Sequence, residues 1–101
     1  MKNMYVIVKF KLNEGSDVSE WKTMSDEIQK DITWADGLQF RDSGVDENGN
    51  VYCIIKWDTI EQQVTFRAAM DKKFEAHPEM MKEFGRICDM KSMTMDKITL
   101  I

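Results

Sequence analysis

The sequence is short of the residues from which most active sites are made: its 101 residues include one histidine, one proline and two cysteines. Cys53 and Cys88 have neither the close pairing of a zinc knuckle nor the density of a disulfide scaffold, so both are read as reduced, packed thiols. A lone imidazole at His77, with Met80 and Met81 where a carboxylate at i+3 or i+4 would be needed, does not make a metal site. Also missing are a phosphate loop, a dinucleotide fingerprint, a Ser-His-Asp set and closely paired carboxylates, which removes most other enzyme classes. No apolar run approaches the roughly 20 residues of a membrane helix. The opening MKNMYVIVKFKL returns to lysine too early for a secretory signal, so a cytoplasmic location is expected. The net charge is −4 and the lysines are interleaved with acids, leaving no basic footprint for nucleic acid.

What is present is the balance of a folded globular chain, 43% apolar and 32% charged, with length for one domain over residues 1–101. Nine methionines are many for this length, and Met70, Met80, Met81, Met90, Met93 and Met95 crowd the last third. Their flexible thioethers suit either an irregular core or an adaptable apolar pocket.

The hydrophobic pattern sets an order of elements. Residues 4–12 alternate, with Val6, Val8, Phe10 and Leu12 on one face and Tyr5, Ile7, Lys9 and Lys11 on the other, which predicts a strand. NEGSD supplies a turn and cap, and Val18, Trp21, Ile28 and Ile32 form the stripe of a helix that closes near Gly37. Residues 38–46 and 51–57 flank Glu47-Asn48-Gly49-Asn50, where Asn-Gly suits the positive φ angles of a tight hairpin. Thr59 and Gln62 form a capping box for a helix with Ile60, Val64 and Ala68 on one side and Phe66 and Met70 on the next. That helix runs to about Phe74 or Ala76, Pro78 opens another, and Met80, Phe84, Ile87 and Cys88 are its stripe. Residues 91–101 return to strand composition.

The resulting order, β-α-β-β-α(α)-β, is the ferredoxin-like α+β arrangement, a four-stranded antiparallel sheet with helices on one face. The third strand carries Val51, Cys53, Ile55 and Trp57 on one side and Tyr52 and Ile54 on the other, so both faces are apolar while helices cover only one. A second copy of the sheet is expected on the open face, giving a homodimer in the form of a dimeric α/β barrel.

Through VYCIIKWDTIEQQVTFRAAM and the following F.AHPEM..F, the chain resembles the dimeric α/β-barrel superfamily, and within it the antibiotic-biosynthesis-monooxygenase type of domain. The resemblance spans nearly the whole chain in element order. It implies a cofactor-independent oxygenase-like protein that binds a small apolar or aromatic molecule, such as a phenol or quinol, between sheet and helices. Such a site needs an apolar slot, donors to hold an anion, and exclusion of water. The polar candidates are Tyr5, Tyr52 and His77 with either Arg41 or Arg86; Phe66, Met70, Phe74, Met81, Phe84 and Trp57 are the expected apolar walls. With an unperturbed pKa near 6.5, His77 is the candidate base; the bland alternative makes it a joint between two helices. A second reading is a non-catalytic ligand-binding or regulatory dimer of the same fold. The third is haem binding or degradation. The haem-degrading branch resembled here has a strand asparagine, a helix tryptophan and a ligand histidine; this chain has Phe66 for the tryptophan, no asparagine after Asn3 in the first strand, and His77 close to the ligand position.

Overall fold

The computed structural model describes residues 2–101. Seven elements follow in the order β1 (Met4–Leu12), α1 (Val18–Ile32), β2 (Leu38–Val45), β3 (Asn50–Trp57), α2 (Ile60–Ala76), α3 (Pro78–Ile87) and β4 (Cys88–Thr99). The strands form one antiparallel sheet in the order β2-β3-β1-β4. Period-two alternation in β1 and β3 divides it into two faces. Met4, Val6, Val8 and Phe10 pair across the ladder with Trp57, Ile55, Cys53 and Val51, and this inner face meets the helices. Tyr5, Ile7 and Lys9 pair with Lys56, Ile54 and Tyr52 on the outer face.

Two clusters make up the core. Phe10, Trp21, Val51, Cys53, Ile87 and Cys88 form the larger; Met4, Val6, Ala35 and Trp57 form the smaller, with Phe66 packed against it. Phe10 meets Trp21 edge to face at 4.9 Å between ring centroids, and Trp21 meets Phe84 at 6.0 Å. These rings join β1, α1 and α3.

The helix ends are set by identifiable groups. Asp17 caps α1 by accepting from the Glu20 amide at 2.9 Å, and Thr59 caps α2 by accepting from the Gln62 amide at 3.2 Å. The Thr59 hydroxyl donates in turn to Gln62 Oε1 at 3.1 Å, so the Gln62 side chain meets the Thr59 side chain and not the Thr59 amide that the expected capping box would engage. The C-terminus of α3 is closed from far away in sequence: Asn13 Nδ2 donates to the carbonyls of Gly85, Arg86 and Cys88 at 2.8–3.1 Å, and the Asn13 amide donates to that of Ile87 at 2.8 Å.

Four details of the pattern come out differently. Ile60 and Val64 are exposed, at 44% and 53%, while Gln63 is buried. Phe66 sits on Trp57 at 4.9 Å, and at about 100° per residue that contact turns Val64 to the opposite side of the helix. Val18 lies at the exposed start of α1, which ends at Ile32 and is followed by a turn to Gly37. Cys88 does not continue the α3 stripe but is an extended residue that opens β4. In the hairpin only Gly49 has positive φ, and the loop is wider than a two-residue Asn-Gly turn, with the Asp46 amide donating to the Asn50 carbonyl.

Gly37 has φ +83°, and its carbonyl accepts from the Asp58 amide at 2.8 Å. A Cβ there would meet the Gln62 side chain and disturb the α2 cap, whereas at Gly49, with φ +82°, it would enter open space. Gly49→Ala should cost about 1–2 kcal/mol from backbone strain. Gly37→Ala should cost more, as read from urea unfolding midpoints of the two variants.

Candidate functional site

The helices lie against the sheet unevenly and leave a cleft of about 620 Å³ between them. Val8, Phe10, Cys53 and Ile55 of the sheet form its floor; Trp21 and Ile28 of α1, Phe74 of α2, and Met81 and Phe84 of α3 form its walls. Met90, Met93 and Met95 of β4 line the remaining side. The volume falls within the usual range for small-molecule sites, and the lining is mainly apolar. Arg67 and Asp71, paired at 3.2 Å, stand at the α2 side with Glu75.

One cation reaches the floor. Arg41 Nη1 donates to Ser25 Oγ at 2.8 Å, and Nη2 lies 3.7 Å from Cys53 Sγ. Its inward direction comes from an irregularity in β2. Leu38 pairs with Trp57 but Phe40 pairs with Lys56, so the register shifts by one and Arg41 pairs with inward-facing Ile55. Phe40 is turned outward, 6.2 Å from the Tyr5 ring. Ser43, on the same side as Arg41, accepts from Trp21 Nε1 at 2.9 Å and donates to the Tyr52 carbonyl, fixing α1 to β2. Burial pushes the Cys53 thiol up, while the Arg41 charge and its hydrogen bonds act in the opposite sense. The Cys88 thiol, in the same core cluster, is pushed up to about 12 chiefly by burial. Both shifts disfavour the thiolate, the form in which a cysteine attacks.

Of the expected walls, Phe74, Met81 and Phe84 line this cleft. Met70 lines a separate groove of about 370 Å³ between α1 and the α2–α3 pair, because its position on α2 faces α1. Phe66 and Trp57 pack on each other in the smaller core cluster, and Trp57 is 1% exposed.

The expected polar set is not assembled. Tyr5 and Tyr52 do share a face, but it is the outer one, across the sheet from the cleft. The Tyr52 hydroxyl donates to Asp46 Oδ2 at 3.2 Å, and Lys9 lies over its ring. Arg86 points into solvent, where Glu83 and Glu20 hold it at 2.7 and 3.1 Å and raise its pKa further. It is a surface tie between α3 and α1. His77 is the joint between α2 and α3: its amide donates to the Lys73 and Phe74 carbonyls, and its carbonyl accepts from the Met80 amide. The ring is exposed, with Nδ1 3.3 Å from Glu79 Oε1. Read as helical neighbours, His77 and Glu79 face apart; because His77 lies outside the helix at its N-cap, the two meet. Among the described residues no cluster of three or more His, Cys, Asp or Glu is placed to hold a metal, and no helix is long and apolar enough to cross a membrane.

The acidic hairpin is organised around one carboxylate. Asp46 accepts from the Asn48 and Asn50 amides at 2.9 Å, from Asn50 Nδ2 at 3.0 Å and from Tyr52. The Asn50 bonds above all hold its pKa below the usual aspartate value. A depressed folded-state pKa contributes stability above the unfolded value near 3.8, and this is lost as pH falls through the folded value. Asp46→Asn should therefore lower the unfolding midpoint at pH 7, with the gap from the unsubstituted chain closing as the pH falls below the unfolded value near 3.8. His77→Ala, at an exposed joint, should change stability by no more than about 0.5 kcal/mol in the same assay.

No protein-family model matches the chain, and no curated protein sequence matches it. Solved structures do. A protein from Shewanella oneidensis superposes with a TM-score of 0.70 at 14% identity, covering 98% of this chain and 91% of that one. One from Pseudomonas aeruginosa gives 0.68 at 10% identity, covering 100% and 96%. A third, a dimeric protein of unknown function and ferredoxin-like fold from Bacteroides fragilis, gives 0.56 at 16% identity, covering 97% and 96%. At these identities the likeness is one of fold: the chain is an α+β protein of ferredoxin-like fold with a four-stranded antiparallel sheet.

Proposed function

We propose that this protein is a homodimer that holds a small apolar or aromatic molecule in the cleft between sheet and helices. The observation that carries the reading is the cleft itself, about 620 Å³ with Phe74, Phe84, Met81, Met93 and Met95 around it. Thioethers with three rotatable bonds can repack around an incoming ring system at little cost, which favours binding over exact shape selection.

Cofactor-free oxygenation of a phenol or quinol, the activity of the resembled monooxygenase-type domains, is a second use of the same cleft. Arg41 favours it, since a phenolate must be stabilised before it reacts with oxygen. His77, Tyr5, Tyr52 and Arg86 all lie off the cleft lining, so binding takes precedence over catalysis. Haem binding through His77 would place the iron at an exposed joint, away from the apolar walls.

Dimerisation rests on the outer face. Tyr5, Ile7, Phe40, Ile54 and Ile98 lie there without a covering element, interrupted by Lys9, Lys56 and Asp96. The dimeric neighbour from Bacteroides fragilis has the same fold. Pairing two such sheets buries these side chains and leaves the helix-side clefts open.

Mass spectrometry under native conditions should find a co-purifying small molecule, and Phe74→Ala, at a cleft wall outside both core clusters, should lose it at unchanged fold by circular dichroism. Oxygen uptake with a panel of hydroquinones and anthrones should stay at the uncatalysed rate; turnover that falls at least about tenfold in Arg41→Gln would instead establish the oxygenase. Haemin should give no Soret shift that depends on His77. Light scattering at micromolar concentration should return about twice the 11.9 kDa chain mass. Ile54→Glu should return the single-chain value, whereas a single-chain mass for the unsubstituted protein overturns the dimer.

A further inference from the structure

Arg41 is the feature of the cleft that a purely apolar ligand does not explain. Its guanidinium lies below the helices, among Trp21, Cys53 and Ile55, and its described partners are neutral: Ser25 Oγ at 2.8 Å, the Ser25 carbonyl at 3.4 Å and Cys53 Sγ at 3.7 Å. Among the described residues no carboxylate forms an ion pair with it. Of the acids that line its two openings, Asp71 is held by Arg67 at 3.2 Å and Asp26 by Lys22 at 2.7 Å, while Asp42, at the rim of the second opening, pairs in register with outward-facing Ile54. Glu75 stands on α2 at the cleft lining. A guanidinium carries five donors and stays charged at any physiological pH, so two neutral acceptors and a weak sulfur acceptor leave capacity unused. Arg41 is half-buried, and an anion delivered by a ligand would supply the charge-assisted bonds that its neutral partners do not. The Ser25 oxygen accepts from Arg41, which leaves its own hydroxyl proton available as a second donor.

We infer that the cleft selects an apolar monoanion, a carboxylate or a phenolate, whose charged oxygen sits on Arg41 while its body lies against Ile55, Phe74, Phe84, Met93 and Met95. This rests on the binding reading above and adds the chemical class of the ligand. The arrangement is directional: the cation is at the floor beneath Trp21, and the methionines of β4 lie to the other side. A neutral analogue of the same shape gains the apolar contacts but leaves the arginine unpaired. The second cleft, about 400 Å³ between α1 and β2, also reaches Arg41 and Ser25, so water has access to the cation until a ligand displaces it.

The test compares three probes of one shape, 2-naphthoate, 2-naphthol and 2-naphthalenemethanol, by isothermal titration calorimetry on the full chain. Naphthoate should bind at least about tenfold more tightly than the neutral alcohol. Arg41→Gln should weaken naphthoate by about tenfold while leaving the alcohol within about twofold, and Arg41→Lys should keep part of the preference. Arg86→Gln, which removes the same charge from the surface, should change neither. Naphthol read at neutral and at alkaline pH separates the two sources of charge: tightening on ionisation without a preference for naphthoate assigns a phenolate. Equal binding of all three probes, unchanged in Arg41→Gln, overturns the anion site but leaves the apolar cleft standing. Failure of every probe to bind overturns both.

Discussion

The contact of Phe10 with Trp21, and of Trp21 with Phe84, is the arrangement on which the rest of the molecule hangs. Three rings from β1, α1 and α3 meet edge to face, a geometry that aromatic quadrupoles favour. They are rigid and bulky, so they fix how close the helices come to the sheet at one end. At the other end Phe66 on Trp57 does the same for α2. Between these two aromatic props the helical layer is held over the sheet instead of collapsing onto it, and the space beneath remains a cleft bordered by methionines, with Arg41 at its floor.

The fold was legible because its signals were local and repeated. Alternation in β1 and β3, the Asp17 and Thr59 caps, and Pro78 at the start of a helix each carry their meaning within a few residues. The candidate site was legible only in part, and the reasons are geometric. Tyr5 and Tyr52 were correctly placed on one face, but alternation alone does not say which face meets the helices when both are apolar. Uninterrupted alternation from Leu38, which faces inward, would put Phe40 inward and Arg41 outside; a register shift invisible in composition turns Phe40 out and Arg41 in. That one irregularity is why Arg41, whose place in the hairpin favours a surface or dimer contact over an oxyanion clamp, faces the cleft floor. Arg86 and His77 have the opposite history, since chemically apt side chains ended beside Glu83, Glu20 and Glu79 in solvent.

The stripe of α2 shows the same limit for packing. Ile60 and Val64 look like core by spacing, yet the helix phase is decided by Phe66, the largest side chain that can reach Trp57. Phe66 gains ring contacts with both Trp57 and Trp34, while Ile60 and Val64 lie at the start of the helix, where Thr59 and Gln62 already fix the chain. Gln63 is carried inward as a consequence.

Asn13 carries a consequence for the order in which the molecule assembles. At 10 residues α3 is too short to persist by itself in water, and the carbonyls at its end gain donors from the amide and side chain of Asn13, more than 70 positions earlier in the chain. The same residue ends the β1 segment that pairs with β4, so closing the helix and zipping the final strand onto the sheet belong to a single cooperative event. The C-terminal quarter of the protein thus takes its shape against the segment from Met4 to Asn13, and its side of the cleft is completed only when the two are joined.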